Sequence, residues 1–597
     1  MNNLHIKTKG AFHIRVFKQL SWFLRLEWKT YALGIVLLIF VAGLELIPPR
    51  IIGRIVDEIN RGSLSSNTLW MLLGGLAAVG IGNYVARFFW RYFIFGASIR
   101  LGRMLRSQLY RHFTDLDQRF YKKSRVGDLM AHATNDVQAV SMTAGAGILT
   151  LVDSVTLGTF VIITMITTIS WKLTLVALLP LPIMVALTTR YGKMLHSRFG
   201  VAQAAFSELN DKVQESVSGV RVLKSTGEVD RDVDSFENLS SEVMAKNVRV
   251  AKIDALYDPT IFGIVGLSYI LSVGYGAVLI EQGELTIGQI VSFTAYLALL
   301  TWPMLAFGWL FNIVERGRAS YDRIERMLAV KPEIQDDRMA ATTLAHSEVE
   351  VDVRHFAYDE TVVLRDVHFR IERGKTIGIV GRTGAGKTTI VRLLTREYDV
   401  KDGKIKIGGI NIRQVKKSLL MDKIAVVPQD HFLFSDSIAN NIAFGRPDAS
   451  MEEIIEAAKV AEVHEDIIRL PEGYATLVGE RGVTLSGGQK QRISIARALM
   501  TEADVLILDD ALSAVDAKTE ESIIEHFRVG NPEQARVIVA HRLSAVEHAD
   551  EILVIEDGKI VQRGRHDELL QEAGWYRETY DRQQLEAIVE GGGHDEA

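Results

Sequence analysis

A chain of 597 residues is too long for a single core and implies several domains. A mean hydropathy of +0.12 beside 24% charged residues points to two unlike halves, one living in lipid and one in water. A net charge of −5 offers no basic field for nucleic acid, and the absence of cysteine excludes disulfides, thiolate metal sites and thiol nucleophiles.

Residues 1–30 carry Lys7, Lys9, Arg15, Lys18, Arg25 and Lys29 around FHIRVFKQLSWFLRLEW, which reads as an interfacial helix leading into a membrane. A cleavable signal peptide is disfavoured, because the apolar stretch that follows is too long and no small-residue cleavage site precedes the next helix. Six apolar runs of membrane-spanning length follow, at 31–49, 69–95, 144–169, 173–191, 257–280 and 287–313. Between the second and third lie Arg100, Arg103, Arg106, Arg111, Arg119, Lys122, Lys123 and Arg125, whereas the turns TTISWKL and IEQGELT carry almost no positive charge. The positive-inside rule therefore places both termini and the two long loops in the cytoplasm. Those loops, 91–143 and 190–256, keep helical periodicity far beyond what a bilayer needs, and predict paired helical arms that turn near 120–127 and 219–230.

Five charged residues fall within or beside the runs: Glu45, Arg87, Arg91, Asp254 and Asp258. Arg91, Asp254 and Asp258 lie near run ends, where long side chains reach water, so Glu45 is the better candidate to line a cavity. Trp302, Phe307, Trp309 and Phe311 on the sixth run offer a greasy binding surface, but an aromatic stripe at helical spacing is more often helix packing. The apolar runs stop near 314, which predicts a membrane domain over 1–320, a linker over 321–346, a second domain of water-soluble composition over 347–585 and a disordered tail over 586–597.

Beyond the linker, SEVEVDVRHFAY alternates as a strand does and ends on Tyr358, whose ring is suited to stack on a base or simply to pack on a sheet. In TIGIVGRTGAGKTT, an apolar strand breaks into Gly381, Arg382, Thr383, Gly384, Ala385 and Gly386 and reopens as a helix at Lys387, Thr388 and Thr389. That is the GxxxxGK[ST] pattern: bare backbone N–H groups close on phosphate oxygens, the lysine reaches the β and γ phosphates, and the Thr388 hydroxyl faces magnesium. KIAVVPQD ends in Gln429, whose amide suits a magnesium-bound water and a neighbouring domain. TLSGGQKQR sets Ser486, Gly487, Gly488 and Gln489 at a helix start, a second anion site that implies nucleotide shared between two domains. DVLILDD ends a buried strand in carboxylates, Asp509 to hold magnesium and Asp510 to orient the attacking water, and RVIVAH ends on His541, within reach of a γ phosphate.

On these motifs the chain resembles the ATP-binding-cassette exporters of bacteria, multidrug type, over nearly all of its length. The resemblance implies an α-helical transmembrane domain of six spans with long cytoplasmic extensions (the type I ABC exporter fold), followed by an α/β P-loop ATPase domain using ATP and Mg2+. It implies that Tyr358 stacks on adenine, that residues 381–388 are the Walker A loop, Gln429 the Q-loop residue, 485–489 the signature, Asp509 the Walker B aspartate, 513–516 the D-loop and His541 the switch. The segment GERG at 479–482 looks like the one before the signature in exporters. One span set and one cassette make half a transporter, so the resemblance also implies a second half-transporter subunit and a place in the bacterial cytoplasmic membrane, with lipids and a hydrophobic small molecule as further partners.

The sequence departs from the family at Asp510, where glutamate is usual. Loss of one methylene withdraws the carboxylate by roughly 1 Å, and such a displacement costs on the order of 100-fold in rate. The expectation is a heterodimer, with this chain supplying a slow, ATP-retaining site and an intact LSGGQ to a glutamate-bearing partner. A homodimer in which aspartate still serves, a lipid flippase and an iron-chelate importer on the same scaffold remain open; a peptide exporter with a cysteine peptidase does not, since there is no cysteine.

Overall fold

The computed structural model describes residues 15–337, 339–479 and 485–591. It forms two compact units, Met1–Asp115 with Lys123–Lys331, and Leu116–Lys122 with Pro332–Ala597.

The first unit contains six helices long and apolar enough to span a membrane: Trp28–Asn60, Ser66–Asp115, Val126–Thr168, Trp171–Ser218, Val229–Glu281 and Ile287–Leu328. All six expected spans are present, and the long arms continue them as helix. Ser66–Asp115 runs 50 residues without interruption, about 75 Å at the usual rise. The expected turns carry short helices, Gln118–Lys123 and Val220–Thr226, the second closed by Gly227 at φ 76°, a backbone state that suits glycine. Large apolar side chains stay outward on these helices, Phe262 and Ile270 at 70% exposure each, as expected where lipid is the solvent.

Two expectations need correction. The first span does not end at Pro49. Its helix breaks at Glu45 and Leu46 and restarts as Ile47–Asn60, with Pro48 and Pro49 in the opening turn, where a missing N–H removes no helix bond. The segment before the first span is not one interfacial helix either. It folds as two pieces, Arg15–Gln19 and Ser21–Leu26, that bury Val16, Leu20 and Phe23 completely. Gln19 Nε2 donates to Asp322 Oδ1 at 2.8 Å and Trp22 Nε1 to the Tyr321 hydroxyl at 3.2 Å, so this segment is packed on the end of the sixth span. Residues 1–14 lie outside the described residues.

Spans one and six meet at their glycines. A Cβ on Gly53 would lie 2.3 Å from the Gly288 carbonyl oxygen, and one on Gly288 would lie 2.0 Å from that of Gly53. The contact is tied by Asp57, which accepts from the Thr286 hydroxyl at 2.7 Å and the Gly288 N–H at 2.8 Å. Ser292 Oγ donates to the Pro49 carbonyl at 2.9 Å on the same seam.

The second unit holds ten strands: β1 Val349–Tyr358, β2 Thr361–Ile371, β3 Thr376–Gly381, β4 Asp402–Ile407, β5 Ile410–Asn411, β6 Ile424–Val427, β7 Val505–Asp509, β8 Ala535–Val539, β9 Glu551–Glu556 and β10 Lys559–Gly564. β2, β1, β4 and β5 form an antiparallel sheet, and a second sheet runs β10-β9-β3-β8-β7-β6, parallel except for the β9–β10 hairpin. β7 and β8 are buried along their whole length, which is why VLILD and ARVIV read as continuous apolar runs rather than alternating ones. Parallel strands end together, so the residues following β3, β6, β7 and β8 converge on one edge of the sheet. The helix Trp575–Gly591 takes in residues 586–591 of the expected tail, and 592–597 lie outside the described residues.

Candidate nucleotide site

β3 feeds a loop in which Gly381, Gly384 and Gly386 take φ of 147°, 85° and 105°. Two of these need to be glycine on space as well. A Cβ at Gly381 would meet the Ile555 carbonyl oxygen at 2.1 Å, and one at Gly386 would meet Leu364 Cδ2 at 2.8 Å. Thr383 is exposed at the loop tip and Ala385 is buried beneath it. The helix Lys387–Leu394 begins immediately, so its free N–H groups and positive end face the loop's hollow.

Lys387 is only 5% exposed and folds back over the loop, its Nζ donating to the Gly381 carbonyl at 2.7 Å and the Arg382 carbonyl at 3.1 Å. Burial lowers its pKa, against the pull of Asp510 and Asp509. Thr388 Oγ1 donates to Asp509 Oδ1 at 3.2 Å. Hard oxygen donors, one hydroxyl and one buried carboxylate on neighbouring elements, suit magnesium, which keeps most of its waters and takes its other ligands from phosphates. Among the described residues there is no cluster of three His, Asp or Glu that would hold a metal without a nucleotide.

Asp509 pays for its position. Burial pushes its carboxyl up to about 6, with the neighbouring Asp510 adding to the effect and the Thr388 bond opposing it. A carboxyl whose pKa is higher folded than unfolded adds no penalty below about 4; as pH rises through about 6 the fold must hold the charge and loses stability. Asp509→Asn is therefore expected to raise the thermal midpoint of the empty protein by on the order of 5 °C at pH 7.5, with the gain vanishing below about pH 4. If Asp509 takes part in holding Mg-ATP, the same change is expected to remove the added stabilisation by that nucleotide, and scanning calorimetry with and without it reads both effects.

Asp510 follows directly, at φ 52°, with its N–H on the Val539 carbonyl at 2.9 Å and its carbonyl taking the Ser513 hydroxyl at 3.0 Å. It lines one crevice with His541. His541 has its pKa lowered by burial and, next, by Lys387, so the ring is held neutral. Its carbonyl accepts from Gln583 Nε2 at 3.0 Å, which pins the segment after β8 to the C-terminal helix. Gln429 sits two residues beyond β6, exposed, and its amide has no partner among the described residues.

Tyr358, at the end of β1, packs edge-on against Tyr398 at 5.0 Å, and its hydroxyl reaches Thr389 Oγ1 at 3.3 Å. Lys122, in the part of the chain that belongs to this unit, stands over the Tyr358 ring at 4.6 Å and over Tyr398 at 5.3 Å. Neither Lys122 nor Tyr398 stands out in the sequence as a site residue, because nothing in their local pattern signals a partner so far along the chain.

Leu485 is buried, and Ser486 caps the helix Gly487–Leu499: its Oγ accepts from Gln489 N at 3.3 Å while Gln489 Oε1 takes the Ser486 N–H at 3.0 Å. Ser486 and Gly487 are exposed. Gln491, missed in the sequence, ties this helix to the turn after Asp510: its Nε2 donates to Ser513 Oγ at 3.1 Å and its Oε1 accepts from Ala514 N at 2.9 Å. Of the GERG segment, residues 480–482 lie outside the described residues. The phosphate loop, Asp509, Asp510 and His541 thus assemble at one edge of the sheet, whereas the Ser486 group presents a separate exposed face.

Comparison with known proteins agrees with this division of labour. The family described as ABC transporter transmembrane region matches residues 31–304, and the family described as ABC transporter matches residues 364–513. The multidrug resistance-like ATP-binding protein MdlA of Escherichia coli is 46% identical over 97% of the chain and 98% of its own length. The probable multidrug resistance ABC transporter ATP-binding/permease protein YheI of Bacillus subtilis is 44% identical over 97% and 99%. A solved bacterial Atm1-family ABC exporter with ATP bound superposes with a TM-score of 0.77 at 27% identity, over 94% of this chain and 98% of that one. With six spans joined to a phosphate-loop ATPase in a single polypeptide, this chain is a multi-pass membrane protein and belongs to the ABC exporters.

Proposed function

We propose that the chain drives ATP-dependent export of hydrophobic or amphipathic small molecules across the bacterial cytoplasmic membrane by alternating access, as one half of a heterodimer with both termini cytoplasmic. The observation that carries this reading is the pairing of a complete phosphate loop, Lys387 and Thr388 against Asp509, with a shortened carboxylate at Asp510 and an exposed Ser486 helix start in one membrane-spanning chain. The names of MdlA and YheI support a small-molecule cargo.

In the proposed cycle Tyr358 stacks on adenine and the loop amides of residues 381–389 enclose the phosphates. Thr388 and Asp509 would hold magnesium, with the Gln429 amide within reach of a coordinated water, and the ion would supply charge neutralisation at the β and γ phosphates. Lys387 exchanges its two carbonyl partners for phosphate oxygens. Asp510 orients the attacking water and His541 contacts the γ phosphate. The Ser486, Gly487, Gly488 and Gln489 group closes on the partner subunit's nucleotide.

Inverted membrane vesicles holding this chain and a glutamate-bearing partner are expected to accumulate hydrophobic dyes only when ATP is supplied. ATP-dependent movement of labelled phospholipid with no dye accumulation would replace the exporter of small molecules by a flippase.

A further inference from the structure

The C-terminal helix reaches the nucleotide site through a side chain that the proposed cycle does not use. Trp575–Gly591 is laid on its unit by Tyr576, which is fully buried, and by Thr579, 4% exposed. Its start is fixed as well: the Tyr576 N–H donates to Gln562 Oε1 at 3.2 Å, and the Tyr576 hydroxyl is hydrogen-bonded to His566 Nδ1 at 2.7 Å. Gln583 stands four residues beyond Thr579 and so on the same face of the helix. Its amide meets the main chain on both sides of Arg542. Nε2 donates to the His541 carbonyl at 3.0 Å, and Oε1 accepts from the Leu543 N–H at 3.0 Å.

This contact falls where the sheet stops supporting the chain. β8 ends at Val539, the Ala540 N–H still donates to the Ile379 carbonyl at 3.1 Å, and the chain leaves the sheet at His541. The Gln583 amide stands in for a neighbouring strand, because it offers one donor and one acceptor in a single plane. A glutamate carboxylate has no donor, a lysine no acceptor, and asparagine is one methylene shorter. Arg542 is held from the opposite direction: its guanidinium donates to the Val515 carbonyl at 3.2 Å and pairs with the buried Glu520 at 3.2 Å. The backbone of 541–543 is thus fixed by the C-terminal helix, and the side chain between by the turn after Asp510. An imidazole carried on that segment has its reach set by the clamp.

We propose that Gln583 is a positioning residue for ATP hydrolysis, which sets the distance of the His541 imidazole from the γ phosphate by clamping the His541 carbonyl and the Leu543 N–H. The proposal rests on the role given to His541 in the proposed cycle. Docking of the C-terminal helix thereby becomes a condition of turnover rather than of nucleotide binding.

The test is hydrolysis of radiolabelled Mg-ATP by the full-length chain in lipid nanodiscs, together with equilibrium binding of Mg-ATP and Mg-ADP. Gln583→Leu is expected to lower kcat on the order of tenfold. It is also expected to reduce the preference for ATP over ADP by about threefold, the scale of one weakened hydrogen bond, with ADP affinity as in wild type. Where turnover is too slow to resolve, the ATP preference decides. In a His541→Ala chain the same substitution is expected to change neither quantity further, whereas a residue that only holds the domain together lowers both in either background. Gln583→Glu keeps the acceptor for Leu543, loses the donor to His541, and takes the place of Gln583→Leu if that variant does not fold. Thermal stabilisation by Mg-ADP shows that the variants are folded. Gln584→Leu, on the exposed side of the helix, is expected to match wild type. Wild-type kcat and ATP preference in the Gln583 variants, an equal loss with and without His541, or the same loss in Gln584→Leu would overturn the proposal and leave the role of His541 standing. A His541→Ala chain with wild-type turnover and ATP preference removes that role, and the proposal with it.

Discussion

Asp510→Glu is expected to raise the ATPase rate of the purified single chain by on the order of 100-fold. The backbone at this position is held by the Asp510 N–H on Val539 and the Ser513 hydroxyl on the Asp510 carbonyl, so the carboxylate cannot advance by a shift of the chain. On the slow-site proposal, a longer side chain would bring it to the water. Asp510 also occupies the left-handed region at φ 52°, which a short polar side chain tolerates better than glutamate does. The gain in rate should therefore come with a slightly lower thermal midpoint, a loss of about 1 kcal/mol or less. A wild-type chain that already turns ATP over rapidly by itself, or a variant no faster than wild type, would remove both the slow-site reading and the need for a glutamate-bearing partner.

Lys387→Met is expected to lower turnover by at least on the order of 100-fold, the scale seen when one donor is lost from developing negative charge in a closed site. Methionine keeps most of the volume and so separates the role of the charge from that of the packing. The empty protein should not suffer. Burial already works against the charged amine, so removing it is expected to leave the melting midpoint of the nucleotide-free protein unchanged or higher. Steady-state phosphate release and calorimetry on the same sample check the two halves. Equal loss of activity and of apo stability would mean that Lys387 serves chiefly to hold the Gly381 and Arg382 carbonyls.

The strand, glycine loop and helix around Lys387 are legible in the sequence because backbone chemistry dictates their spacing. Glycines must stand where the loop turns left-handed at Gly381, Gly384 and Gly386, and a strand must run into them and a helix out. The six spans and their arms were legible for a similar reason, since length and periodicity are local properties. What the sequence concealed was partnership between distant residues. Glu45 and Arg87 stand in the sequence as separate charges in two apolar runs, and only the fold pairs them. Lys122 was one arginine or lysine among eight until the fold set it over Tyr358. The first run closes at Pro49 in the sequence, whereas Pro48 and Pro49 stand in the opening turn of the helix that carries the span on to Asn60, and prolines in a first turn mark a beginning.

The glycine seam between spans one and six has an uneven energetics. Parting the two helices there would hand the Asp57 carboxylate, the Thr286 hydroxyl and the facing carbonyls to solvent at the short-turn end, where water replaces every bond that is broken. Bringing them together again tolerates no side chain at either glycine. Such a zip yields easily and reseals only in one register, a property suited to a barrier that must open often and leak rarely.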